Sequence, residues 1–442
     1  DMASTLAVAG DANFDSGTLF VDVSANNVGL GITGPTAQLH LSRGGGTLIK
    51  LGTSLNTSEI EAREVGNANS LVFSANNSAD HLIIAADGSL STPTAGTSNF
   101  RAGVNAGNSI ESGGRYNTVV GDEAGTAITT GDNNVAVGFS ALITNTTGST
   151  NTAVGDYSLY SNTTASQNTA VGRMALRFNT TGTNNTATGF EALEANTTAD
   201  NNTAVGYSAL TANTTGIQNV AVGATALDAN TTGNYNTALG YAAAGGTTTG
   251  EFNTAVGRRA LFTNTTGESN TVLGYRALDA STTADNNTAV GFSALLDNTT
   301  GTRLVAVGPN ALGNNTTAAY NIAVGYNALF VNTVGTGNVA VGDSALYLNT
   351  GSNNTAVGSF NGSILPALYN NTSGGNNIAV GTGALAANTT ASQNTAVGYQ
   401  SLFANTTAGT NVAVGYQAMY ANTTGANNTA IGYFALDSNT TA

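Results

Sequence analysis

Residues 202–218 read NTAVGYSALTANTTGIQ, and this pattern recurs through most of the chain. The glycine that closes each Asn-Thr-Ala-Val-Gly block recurs from Gly121 to Gly432, and 16 of the 18 intervals between successive closing glycines are 17 residues long. A 17-residue unit is too short for the common helical repeats, which need about 33 residues or more. Gly, Asn, Thr and Val also disfavour a helix. The repeat therefore predicts an all-β fold, a parallel β-solenoid or β-roll of 17-residue coils.

The strand of each coil has two faces, because side chains two residues apart point the same way. One face carries Thr, Val or Ile three residues before the closing glycine and mostly Val directly before it. The other face carries Asn and Ala, four and two residues before it. We expect the Thr and Val columns to face the coil interior, together with the Leu four residues after the glycine. The Ala column is then expected where another backbone approaches closely.

Asparagine stands four residues before the closing glycine in 18 of 19 units, with Leu304 as the exception. Amides stacked at one height can hydrogen-bond from coil to coil. We therefore expect a structural ladder, represented by Asn151, Asn168, Asn202, Asn236, Asn253 and Asn270. The Asn-Thr-Thr tracts also fit the N-glycosylation sequon, which leaves a glycan acceptor as an alternative.

The pattern divides the chain into three parts. We expect a small N-terminal β-domain over 1–90, a linker over 91–116 and the solenoid over 117–442, with an insertion at about 359–377. Seven short strands are predicted in the first part, at 18–23, 28–32, 37–42, 47–52, 60–65, 70–75 and 81–86. At about 4.8 Å per coil, 19 units would form a rod of about 90 Å. Because the sequence stops within a repeat, we expect a fragment of a longer protein.

Composition excludes several function classes. The chain has 11 basic and 25 acidic residues and a formal charge of -14, so it lacks the basic surface that nucleic acid requires. It has no cysteine and two histidines, and we expect neither a metal site nor a cofactor. The chain contains no run of about 18 apolar residues, so we expect no membrane insertion. No base accompanies the many hydroxyls and no paired carboxylates stand out, so we expect no enzymatic activity.

Aromatic residues follow the closing glycine in 10 units. Stacking of these rings on one another is one interpretation, and contact with a glycan or receptor is the other. The candidates for such contact are Tyr207, Tyr241, Tyr275, Tyr326, Tyr399, Tyr416, Tyr433 and, at the end of the apolar insertion, Tyr369. A threonine-ladder antifreeze surface is disfavoured, because adjacent threonines of a strand point to opposite faces.

The repeat resembles the β-roll heads of trimeric autotransporter adhesins, whose unit of 14 residues is shorter. Residues 27–41, NVGLGITGPTAQLHL, resemble a segment that recurs in the tail fibres of tailed bacteriophages. This resemblance implies a homotrimeric virion component, with tail or baseplate proteins at one end and a host-surface glycan or protein at the other. The expected function is a fibre shaft that spaces a distal receptor-binding tip. The alternative is the head of a bacterial cell-surface adhesin. A 17-residue coil also encloses little, so association of several chains is expected from the repeat itself.

Overall fold

The computed structural model describes residues 98–110 and 113–441 in full and, before them, the backbone of nine strands. The first four form a sheet in the order β1-β2-β3-β4, and the next five form a sheet in the order β5-β6-β7-β8-β9. Each of the seven segments predicted there overlaps one of these strands. Their bounds are Ala12–Phe14, Leu19–Asp22, Asn27–Leu30, Leu39–Leu41, Thr47–Thr53, Asn56–Val65, Ala68–Ala75, Asp80–Ile84 and Leu90–Ser91.

The remaining twenty strands form one parallel sheet in which each strand pairs with the next along the chain. Equivalent residues of successive coils lie side by side, as with Ala204 and Ala221. The predicted all-β parallel solenoid is confirmed, and the described residues contain no helix. The bounds of β10 to β29 are Phe100–Ala102, Thr118–Val120, Val135–Val137, Thr152–Val154, Thr169–Val171, Thr186–Thr188, Thr203–Val205, Val220–Val222, Thr237–Leu239, Thr254–Val256, Thr271–Leu273, Thr288–Val290, Val305–Val307, Ile322–Val324, Val339–Val341, Thr355–Val357, Ile378–Val380, Thr395–Val397, Val412–Val414 and Thr429–Ile431.

The sheet begins earlier than the repeat count suggested. Strand β10 pairs in parallel with β11, and it lies inside the segment 91–116 that was predicted as a linker. Residues 98–110 therefore already contribute to the solenoid.

The two faces of each strand were assigned the wrong way round. Ala204 is fully buried, whereas Thr203 is half-buried and Val205 is 37% exposed. The Ala and Asn columns thus face the coil interior, and the Thr and Val columns face outward. The alternation defined two faces but not which was inside, and the coil is so narrow beside the strand that Ala and hydrogen-bonded Asn fill most of these positions. The small Ala residues therefore reflect this narrow interior and not the approach of a second chain.

The leucine column was assigned correctly to the interior. Leu210 is fully buried with the backbone in the left-handed region, at a φ of 53°. This conformation costs roughly 1–2 kcal/mol for a residue with a Cβ. Burial of a leucine side chain contributes about 1.5–3 kcal/mol, which offsets that cost. The segment around this leucine forms a turn.

The closing glycine permits the coils to stack closely. Gly206 has a φ of 139°, and a Cβ on it would lie 2.6 Å from the carbonyl carbon of Gly223 in the next coil. Any side chain would therefore both strain the backbone and separate the two coils.

Candidate functional site

The outer surface of the solenoid carries an aromatic column, formed by the residues that directly follow the closing glycines. Phe190 and Tyr207 stack with centroids 5.6 Å apart and an interplanar angle of 5°. Tyr416 stacks on Tyr399 and on Tyr433, at 5.2 Å in both cases. The in-register coils place these rings face to face, at a spacing that suits aromatic stacking.

Arginine takes a place in the same aromatic column. The Arg258 guanidinium lies 5.6 Å from the ring centroid of Tyr241 and 5.5 Å from that of Tyr275. Tyr275 in turn stacks on Phe292 at 5.4 Å. Cation–π contacts therefore join ring–ring contacts in this column.

Seven of the eight tyrosines proposed for glycan contact lie in this column, and the eighth does not. Tyr369 belongs to a second aromatic column, five positions after the closing glycine in the regular coils. It stacks on Tyr347 at 5.3 Å, and Tyr347 stacks on Phe330 at 5.5 Å. Sequence reasoning missed this column, although the 17-residue spacing of Phe330 and Tyr347 was a signal for it.

Ring stacking limits what the stacked tyrosines of this column can offer chemically; these are Tyr207, Tyr275, Tyr399, Tyr416 and Tyr433. In a stacked pair each ring covers a face of its neighbour, so a ligand meets mainly ring edges and hydroxyls. Tyr207 remains 57% exposed and Tyr433 is 73% exposed. Contact with a glycan or receptor at these positions stays a prediction.

The insertion forms a short exposed loop that ends at Pro366. Ala367 and Leu368 return to the buried positions of the regular repeat, where Leu368 donates a backbone hydrogen bond to the Ala384 carbonyl oxygen. A cavity of about 260 Å³ opens beside the loop, with Phe360 and Tyr369 among its lining residues. The extra residues therefore add a small, largely apolar recess without changing the stacking of the coils.

The asparagine column before each strand forms a first ladder. The Oδ1 atom of Asn151 accepts a hydrogen bond from the backbone N–H of Asn168 at 3.1 Å. The Nδ2 group of Asn168 donates to the Gly182 carbonyl oxygen at 2.8 Å. Asn202, Asn236, Asn253 and Asn270 lie in the same column and repeat this arrangement. This ladder thus consists largely of side-chain to backbone bonds, where stacked amides were expected.

A second asparagine ladder, missed by sequence reasoning, runs through the Asn-Thr-Thr tracts. Here the Nδ2 group of Asn162 donates to Oδ1 of Asn145 at 2.9 Å, so the bonds join side chain to side chain. Both amides are fully buried. Buried, hydrogen-bonded amides are not accessible to a glycosyltransferase, which argues against these tracts as glycan acceptors.

One cluster of charged residues joins two successive coils. Asp279 is almost fully buried and accepts hydrogen bonds from Arg259 at 3.1 Å and from Arg276 at 2.6 Å. The bond to the Asp279 carboxylate raises the pKa of Arg276. Since each partner of the aspartate is a permanent cation, the cluster fixes surface side chains and offers no group for proton transfer.

Within the part of the chain that the structure describes, no group of three or more potential metal ligands comes together. The same residues contain no helix long and apolar enough to cross a bilayer. No protein-family model, curated protein or solved structure matches the chain.

Proposed function

We propose that this chain is the shaft of a homotrimeric fibre that holds a distal receptor-binding tip away from the particle that carries it. The observation that carries this proposal is the unbroken sheet of twenty parallel strands in register. At about 4.8 Å per strand the solenoid is about 90 Å long. A stack of near-identical coils provides length and stiffness, which a spacer requires.

Self-association is supported by the outward face of the sheet. We name its apolar part the apolar stripe: it consists of the residues directly before each closing glycine, which are mostly Val and run beside a column of mainly Thr. Leu239 is 48% exposed and Leu273 is 49% exposed, and Val side chains continue the stripe along the rod. A row of exposed apolar side chains along one face of a protein is a candidate interaction site. A second and third copy of the chain are the proposed occupants.

The wider assignment rests on the sequence resemblance. Residues 27–41 support a phage tail fibre in the virion, with tail or baseplate proteins at one end and a host-surface glycan or protein at the other. No catalytic step, cofactor, nucleic acid or membrane insertion is part of the proposal. The head of a bacterial trimeric surface adhesin is the alternative, supported by the repeat pattern, and it would assemble through the same stripe.

Sedimentation equilibrium of the full chain tests the assembly. We expect three times the chain mass for the unmodified protein and a monomer for the double variant Leu239→Glu and Leu273→Glu, because charge cannot be buried unpaired in an apolar interface. The matched control carries the same charges at two exposed threonines of the Asn-Thr-Thr tracts, Thr232→Glu and Thr266→Glu, and should remain trimeric. A monomeric unmodified protein would overturn the proposal, as would a stripe variant that stays trimeric.

A further inference from the structure

Residues 240–256 form a coil that departs from the repeat at two column positions, where Ala244 stands in place of leucine and Thr247 in place of asparagine. Where the coil at 206–222 has Leu210, Thr211, Ala212 and Asn213, this coil has Ala244, Gly245, Gly246 and Thr247. The change opens a surface cavity of about 410 Å³ over the two glycines. A local break in the packing pattern of a repeat indicates a position with a functional requirement.

The cavity has an acidic wall and an aromatic wall. Asp228, one coil before Gly245, and Phe262, one coil after it, both line the opening. A Cβ placed on Gly245 would lie 3.2 Å from Oδ1 of Asp228 and 3.4 Å from Cε2 of Phe262. A group seated over this glycine therefore contacts the carboxylate and the ring together.

The Asp228 carboxylate is partly desolvated, and the described residues form no ion pair with it. Burial raises its pKa, although backbone N–H groups of Asp228 and Ala229 partly oppose the shift. A partly buried carboxylate in a chain of charge -14 is a favourable position for a positively charged ligand.

The neighbouring coil shows which cation this geometry accepts. The Arg259 guanidinium lies 4.2 Å from the ring centroid of Phe262 and is bonded to Asp279, the residue five positions after its closing glycine. Asp228 holds that same position in its own coil. One carboxylate and the Phe262 ring thus already hold a guanidinium on one side. On the other side, Ala242 stands at the position that Arg259 occupies one coil later, so that position supplies no cation.

We propose that this cavity binds a guanidinium group, as carried by an arginine side chain of a partner protein. The Asp228 carboxylate accepts hydrogen bonds from the guanidinium, and the Phe262 ring supplies a cation–π contact. The site is independent of the proposed shaft role, since it lies on the bend of the coil and not on the apolar stripe.

Ligand-observed NMR titration of the full chain tests the site, with butylguanidinium as the probe and neutral butylurea as its isostere. We expect butylguanidinium to bind at least about tenfold more tightly than butylurea, and Asp228→Asn to remove most of this difference. Equal binding of the two probes would overturn the proposal, and so would unchanged binding to the Asp228→Asn variant. Butylammonium binding as tightly as butylguanidinium would overturn the assignment to guanidinium.

Two glycine variants distinguish binding in the cavity from binding elsewhere on the surface. Gly245→Leu restores a side chain to the opening and should abolish binding. Gly313→Ala is the control, because Gly313 holds the same position in its coil but has Leu296 in place of the carboxylate. A Cβ there would lie 2.7 Å from Cε2 of Phe330, so that ring already covers the glycine. Circular dichroism of each variant confirms folding, and equal loss of binding in both would contradict the proposed location.

Discussion

The coils at 206–222 and 240–256 follow the same backbone path but fill it differently. In the first, Leu210 and Asn213 are fully buried, and Asn213 both donates to Asn196 and accepts from Asn230. In the second, Ala244 and Thr247 occupy these positions, and the Oδ1 atom of Asn230 has no donor. The backbone stack therefore persists without ideal side chains, and the cost of a substitution can fall on the preceding coil.

The two asparagine ladders respond differently to the replacement of one asparagine. In the first ladder Oδ1 accepts from the backbone, so Leu304 still donates its N–H to Asn287 at 3.0 Å. In the second ladder Oδ1 depends on the side chain of the next coil. Accordingly, the buried asparagine oxygens without a donor among the described residues all belong to the second ladder, and they are those of Asn230, Asn264 and Asn332. A backbone-directed ladder tolerates a defect that a side-chain ladder does not.

The largest effect is expected from Leu210→Ala, which gives the regular coil the small residue of the irregular one. Loss of a fully buried leucine should lower the free energy of unfolding by about 2–5 kcal/mol. Denaturant unfolding, with local hydrogen exchange at the neighbouring coils, measures it. The control Thr215→Ala changes an exposed residue of the same coil and should stay within about 0.5 kcal/mol. Equal losses in the two variants would contradict the buried role of the leucine column.

An intermediate effect is expected when a threonine is introduced into the second asparagine ladder at one coil or removed from it at another. Asn213→Thr copies Thr247 and leaves Oδ1 of Asn196 without its donor, which should cost about 1–3 kcal/mol. The reverse change, Thr247→Asn, gives Asn230 a donor and should stabilise the protein by about 1 kcal/mol. Thermal or denaturant unfolding compares the two with Thr249→Asn, an exposed control. A Thr247→Asn variant no more stable than that control would show that the orphaned oxygen carries no cost.

The smallest effect concerns the carboxylate beside the irregular coil. Because burial raises the pKa of Asp228 in the folded state, its ionised form destabilises folding at neutral pH. Asp228→Asn should therefore be slightly more stable than the unmodified protein at pH 7. This difference should shrink as the pH falls through the raised folded-state pKa and vanish below the ordinary aspartate pKa, where both states are protonated. A difference that is independent of pH over this range would contradict a titrating origin.

Much of the fold followed from the sequence because identical residues recur at a fixed period. The spacing predicted the parallel in-register sheet, and the apolar Leu column correctly indicated a buried position. The orientation of the strand could not be read in the same way, since Ala204 and Val205 are both apolar. Only the width of the coil decides between them, and that width is a property of the folded backbone.

The candidate sites were less accessible to sequence reasoning. The stacked tyrosines were visible in the sequence as a column. The cavity at Gly245 was not, because it arises where Gly245 and Gly246 have no side chains. Asp228 and Phe262 are 34 residues apart in the sequence. They line one opening because each sits one coil from Gly245, and only the three-dimensional stack makes that relation evident.

The insertion after Gly358 has a consequence for how such a protein changes in length. The loop leaves Ala367 and Leu368 in their columns, so the backbone stacking of the coils continues past it. Each coil bonds mainly to the coils directly before and after it, so duplication or loss of one 17-residue unit would lengthen or shorten the rod by about 4.8 Å. Genetic recombination between repeats can therefore adjust the length of the solenoid in equal steps, while the remaining coils keep their own structure.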